Sequence, residues 1–221
     1  MLRLLTVVAA AAATLALPAT ADAERRGSSL RFAPNTRFGC EAAPVQDVLG
    51  GGVVLQRSGQ RTCTWRSLGT FGNAFATDGS LVPANGRITS IAVRSGRNPA
   101  PLRVTILNSS PGRLGSCCTA RKFGPVFRPR ANRITRLRTN IRVERTIDTG
   151  TGVVATDVVA LTAVGPGTLP VRVLRGAGTF QSGLPWVSFW YPFTRLNDPR
   201  VEAYSLGGIE LLFQWNFVRG R

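Results

Sequence analysis

The sequence predicts an all-β chain: a two-layer antiparallel β-sandwich, with a jelly roll among the arrangements open to it, behind an N-terminal signal peptide. Three observations carry that expectation. In residues 209–217, Ile209, Leu211, Phe213, Trp215 and Phe217 are apolar at every second position, with Glu210, Gln214 and Asn216 between them. Successive side chains of a strand point to opposite faces, so these five line one face of a sheet, and only Leu212 breaks the polar side. At roughly 1.5–3 kcal/mol per large buried apolar side chain, that face contributes on the order of 10 kcal/mol and needs a second layer to cover it. Second, short alternating runs recur along the chain between Gly- and Pro-bearing turns. Third, no stretch beyond the first residues shows apolar spacing of helical period.

Taken in order, residues 1–23 read as a secretory signal peptide. Arg3 supplies a positive start, residues 4–17 are uncharged and apolar, Pro18 interrupts them, and Ala21-Asp22-Ala23 has the form of a cleavage site. The apolar run is short for a bilayer span, and no later segment is long enough to make one, so no transmembrane segment is expected. The mature product is then an extracellular chain of about 198 residues, enough for one domain with a substantial core. Residues 24–29 are expected as a loose terminus and 30–221 as a single β-sandwich domain. Residues 30–38 read as an edge strand interrupted at Pro34-Asn35, Gly50-Gly51-Gly52 as a hinge, and residues 60–68 as a strand with Cys63 and Trp65 on one side. Residues 69–85 read as a long surface loop.

Residues 87–95 and 102–108 alternate cleanly and are expected to pair through the turn at Gly96-Arg97-Asn98-Pro99. Farther on, Leu137, Thr139, Ile141 and Val143 face one way, with Arg136, Arg138, Asn140 and Arg142 facing the other. Runs at 153–164 and 169–174 follow, then an aromatic segment at 186–193, and Gly207-Gly208 introduces the last strand.

Lys plus Arg number 28 against 11 acids, giving a formal net charge of +17, and Lys122 is the only lysine. Such basicity suits an anionic partner, and the plainer alternative is the Arg-, Ala-, Gly- and Val-rich composition of a GC-rich genome. Four cysteines in an exported chain read as disulfides. Cys40–Cys63 closes a loop of about two dozen residues, for roughly 3 kcal/mol on the chain-entropy estimate. Cys117–Cys118 is then a vicinal bridge, strained because adjacent Cα atoms lie about 3.8 Å apart. A crossed arrangement, with Cys117 and Cys118 reaching separate partners, stays open.

Phe38-Gly39-Cys40, Cys63-Thr64-Trp65, the strands at 86–96 and 102–107, residues 157–165 and especially 203–217 (AYSLGGIELLFQWNF) resemble a group of uncharacterised secreted β-sandwich proteins of GC-rich actinobacteria. The resemblance is one of strand order and spacing over most of the mature chain. It implies a sandwich and an extracellular location, and it carries no activity across.

No histidine is present, so serine and cysteine hydrolase dyads lose their usual base. The chain lacks a G-x-S-x-G elbow, an H-E-x-x-H pair and a phosphate-binding G-x-x-x-x-G-K-[ST] loop. A glycan-acting enzyme needs only two carboxylates, but none of the acids sits in a recognisable setting. No catalytic residue, cofactor or metal site is expected. Asp78, in Thr77-Asp78-Gly79-Ser80, is one oxygen ligand where calcium wants six to eight, and reads as a turn residue.

Two constellations point to binding. Arg136, Arg138 and Arg142 share a strand face inside an Arg-dense region, where guanidinium forks suit the carboxylates or phosphates of an anionic polymer. The plainer alternative is a solvated face that keeps an edge strand from pairing with other chains. Trp186 and Trp190 share a face of the aromatic segment and suit a platform for sugar rings. Coverage by the loop at 69–85 or by the chain end is the plainer alternative there. The expected function is thus a secreted, non-catalytic binding or structural module of the cell envelope. Its partner is an anionic or neutral polysaccharide, and no specific nucleic acid is expected.

Overall fold

In the computed structural model, the described residues are 23–46, 53–57, 59–70, 79–109, 118–147, 154–175, 177, 183–190, 193–197 and 204–220. They form strands and connecting turns, with no helix among them. In chain order the strands are β1 (Glu24–Gly27), β2 (Ala42–Gln46), β3 (Val53–Arg57), β4 (Cys63–Thr70) and β5 (Gly86–Arg94). Then come β6 (Leu102–Ser109), β7 (Thr119–Phe127), β8 (Ile134–Val143), β9 (Arg145–Ile147) and β10 (Val154–Ala163). The last five are β11 (Val171–Val173), β12 (Pro185–Trp190), β13 (Tyr204–Gly207), β14 (Ile209–Leu211) and β15 (Phe213–Arg219).

Two antiparallel sheets stack to make the sandwich. The smaller runs β1-β15-β5-β8, and the larger runs β13-β12-β4-β10-β6-β7 with β9 also on β10. If β1, β4, β5, β6, β7, β8, β10 and β15 are counted first to eighth, the smaller sheet reads 1-8-3-6 and the larger reads 2-7-4-5. That is the order of a jelly roll, with β12 and β13 added at the open edge of the larger sheet. The hairpin β2-β3 and the non-consecutive pair β11-β14 stand apart as small two-stranded sheets.

The dry interior is one cluster fed by both layers. Ile88, Ile91 and Val93 of β5, Val143 of β8 and Phe213, Trp215 and Phe217 of β15 meet Val104, Ile106, Val159, Leu161, Trp65 and Val187 from the larger sheet. The alternation expected near the C-terminus therefore holds: all five apolar side chains are buried. The segment is two strands rather than one, however. Leu212 is itself fully buried, and its N–H donates to Pro170 O while its carbonyl accepts from Arg94 N, so the chain changes partners there. Gly208 makes the earlier change possible. It sits at φ 72°, and a Cβ would lie 2.4 Å from Ala177 Cα, so only glycine fits that corner.

Four other expectations are corrected. The runs at 87–95 and 102–108 do not pair, because β5 joins the smaller sheet and β6 the larger, and the turn between them crosses from layer to layer. Residues 24–27, expected to be loose, pair with β15 as Arg25↔Asn216 and Gly27↔Gln214. Residues 30–38 form no strand, since Pro34 lacks the N–H a ladder needs. At 69–85, β4 reaches Thr70, residues 71–78 lie outside the described residues, and Ser80 and Val82 are buried. Val82 N donates to Asp157 O at 3.1 Å and Val159 N to Ser80 O at 2.7 Å, which lays this segment along β10. Gly50-Gly51-Gly52 lies outside the described residues.

Cys40 and Cys63 are bonded, with Cα atoms 5.5 Å apart, which removes the crossed arrangement. Cys118 is buried and also disulfide-bonded. Cys117 lies outside the described residues, as do residues 1–22. No helix among the described residues is long and apolar enough to cross a membrane.

The two faces of β15 should respond differently to truncation. Trp215→Ala or Phe217→Ala removes a fully buried ring and is expected to cost about 3–5 kcal/mol. Gln214→Ala on the outer face should stay within about 0.5 kcal/mol. Urea unfolding midpoints at unchanged slope measure both.

Candidate functional site: an arginine face on the smaller sheet

β8 is an edge strand of the smaller sheet, and its burial alternates as its sequence does. Val143 is buried and Leu137 and Ile141 pack against the core, while Arg136, Arg138, Asn140 and Arg142 are exposed. The predicted trio thus shares the outer face. Register across the sheet adds what spacing along one strand does not show. Arg138 lies opposite Ser90, Ser90 opposite Asn216, and Asn216 opposite Arg25, a row spanning all four strands. The next row is Arg136, Ala92, Gln214 and Gly27, and a third joins Arg142, Arg87 and Val218. With strands about 4.8 Å apart, the first row places Arg25 and Arg138 roughly 14 Å from each other.

Small and polar residues floor this face. Asn216 Nδ2 donates to Ser90 Oγ at 2.9 Å, and Ala92 and Gly27 leave room between the longer side chains. A shallow depression of about 70 Å³ lies here, bordered by Arg25 and Arg136. Arg87 donates to Asn140 Oδ1 at 2.7 Å, and Arg142 faces Glu144 at 3.5 Å. Arg25, Arg136 and Arg138 make no ion pair with any described residue, and no described acid stands in the three rows. Arg87 was not legible, because the alternation of Thr89, Ile91 and Val93 would turn it inward, and only the register shift between Ile88 and Ser90 turns it out. Nor was Arg25, because nothing in residues 24–29 announces a strand.

Where acids do gather, they are tied to arginine. Asp157 is fully buried at the rim of the core, where its Oδ1 accepts from Arg121 Nη1 at 3.0 Å and its Oδ2 from Glu144 N at 2.8 Å. Arg121 Nη2 also donates to Glu144 Oε2. Burial pushes the Asp157 carboxyl above its ordinary value, against the pull of the Glu144 N–H and Arg121. The Arg121 hydrogen bond holds Glu144 below its own. These two carboxylates share one guanidinium. Asp47, Asp78, Asp148, Asp198 and Glu202 lie outside the described residues.

Of the aromatic pair, Trp186 is half-buried and lies in register between Gly69 of β4 and Gly207 of β13. Both flanking positions lack side chains, so the indole has room to lie along the sheet. The side chain of Trp190 lies outside the described residues. Phe193, beyond the end of β12, is fully buried in a second cluster with Leu107, Ala120, Val158 and Ala160 on the outer face of the larger sheet. Leu81 packs against the same cluster. Arg103 Nη2 donates to Phe193 O at 2.8 Å, and its guanidinium stands 3.8 Å from the Phe123 ring centre.

No family model, characterised protein or solved structure matches the chain.

Removing Arg121 leaves a buried carboxylate without its countercharge. Arg121→Ala is expected to cost about 3 kcal/mol, the low end for a broken buried pair, because the guanidinium keeps one side in water. The pH dependence should also change. Asp157 titrates higher when folded, so its cost fades as the pH falls from its folded value toward the ordinary one. Glu144 titrates lower when folded, so its stabilisation is present above the ordinary carboxylate value and fades as the pH falls through its folded one. The deficit of Arg121→Ala should therefore narrow on acidification, as read from urea midpoints across pH 7 to 4.

Proposed function

We propose that the protein is a secreted, non-catalytic binding module of the cell envelope that holds an anionic polymer, an acidic polysaccharide first among them, on its arginine face. The observation that carries the reading is the registered array of Arg25, Arg87, Arg136, Arg138 and Arg142 on one sheet face, clear of described acids apart from Glu144 at its margin. A fixed two-dimensional grid of forks suits a polymer presenting carboxylates or phosphates at regular intervals. Ser90, Gln214 and Asn216 between the forks supply both donors and acceptors for hydroxyls. Export is supported by the leader-like residues 1–23 and by the Cys40–Cys63 disulfide, a bond that persists in oxidising compartments.

Retention on an insoluble acidic polysaccharide tests this reading. Binding should be firm at low salt and fall steeply as ionic strength rises, since exposed charges beyond about 10 Å are screened at 0.1 M. Arg136→Gln with Arg138→Gln should weaken it by about tenfold, on the order of two charge-assisted contacts at a wet surface. Retention indifferent to salt would move the site to the aromatic segment and a neutral polysaccharide. Release of reducing sugar would overturn the non-catalytic assignment in favour of a carboxylate-dependent glycan-acting enzyme.

A further inference from the structure

A second concavity, sharing no residue with the arginine rows, opens at the end of the sandwich where β5 leaves the smaller sheet and β8 enters it. It is an open cleft of about 530 Å³, within the roughly 300–1,000 Å³ of ligand pockets. Its walls are held by hydrogen bonds that do not involve the groups pointing outward. Asn35 pins one wall to β11, donating to Val173 O at 2.7 Å and accepting from Val173 N at 2.8 Å. Thr168 pins another, its Oγ1 donating to Asn98 O at 2.9 Å. Asn132, at φ 54°, closes the third by donating its N–H to Gly96 O at 2.8 Å.

The side chains of Arg37, Arg97, Asn98 and Asn132 line this cleft, are exposed, and make no hydrogen bond to any described residue. Walls tied to the sandwich by hydrogen bonds and carrying unspent donors and acceptors offer a ligand polar contacts at fixed backbone positions. We infer that this cleft binds a single acidic sugar residue, with Arg37 and Arg97 on its carboxylate and the two asparagine amides on its hydroxyls. Guanidinium forks match a carboxylate bidentately, whereas an amide offers a donor and an acceptor together, as vicinal hydroxyls require. The site is independent of the arginine face, which takes repeating charge along a polymer.

The test is a titration of the mature protein with D-glucuronate, D-glucose and inorganic phosphate, followed by backbone and asparagine side-chain amide resonances. Glucuronate should shift Arg97, Asn98 and Asn132 along saturable curves with a dissociation constant of about 1 mM, typical for a ligand of its size. Glucose should bind at least about tenfold more weakly. Arg37→Gln with Arg97→Gln should bring glucuronate down to the level of glucose, whereas Arg136→Gln with Arg138→Gln should leave the cleft shifts unchanged. The amide spectrum of each variant verifies that it is folded. Shifts confined to the arginine rows, or phosphate binding as tightly as glucuronate, would overturn the inference, and either leaves the polymer-retention result standing on its own.

Discussion

The packing of β15, from within the smaller sheet, against the larger one is the constraint on which the rest depends. Its inner side chains, Phe213, Trp215 and Phe217, are buried in the shared core, and its backbone pairs with β1 on one side and β5 on the other. Trp215 and Phe217 meet edge to face with ring centres 6.3 Å apart, and the indole N–H donates to Gly79 O at 3.0 Å. A large aromatic group is thus buried with its polar atom satisfied. The same strand presents Gln214 and Asn216 outward, so the core that holds the layers together also sets the floor of the arginine face. The core and the arginine face are two sides of one strand.

A second fixed point lies at the rim, where the chain passes from β8 to β9 and so from one layer to the other. Asp157, Glu144 and Arg121 tie β10, that crossing and β7 together. Lys122 adds a hydrogen bond to Arg142 O at 2.7 Å, bringing the edge of the larger sheet against the edge of the smaller. This closes part of the β8 edge that the arginines also guard. Charged side chains on an edge strand discourage pairing with other chains, so the guarding and ligand-holding readings of Arg136 and Arg138 share one geometry.

The arginine trio was legible because β8 is buried on one face only: Leu137, Ile141 and Val143 had to turn inward, and the intervening arginines followed. Arg25 stayed hidden because four residues, ERRG, contain no apolar alternation. They form a strand only because β15 offers an unpaired edge. The turn at Gly96–Pro99 misled for a related reason. Turn chemistry marks a reversal of the chain, and it does not say whether the reversal stays in one sheet or crosses to the other. The cleft beside it was invisible to spacing, since Arg37, Arg97 and Asn132 come from three separate loops.

From the sequence alone came the class of fold and the outward facing of Arg136, Arg138 and Arg142. Each follows from a local rule: period-two burial and the absence of any helical stripe. Only the tertiary structure decided the jelly-roll order, the break at Leu212, the joining of Arg25 and Arg87 to the trio, and the burial of Asp157. Those depend on which strands lie side by side. Strand neighbours are chosen by the packing of two whole layers, a long-range condition that no single segment encodes.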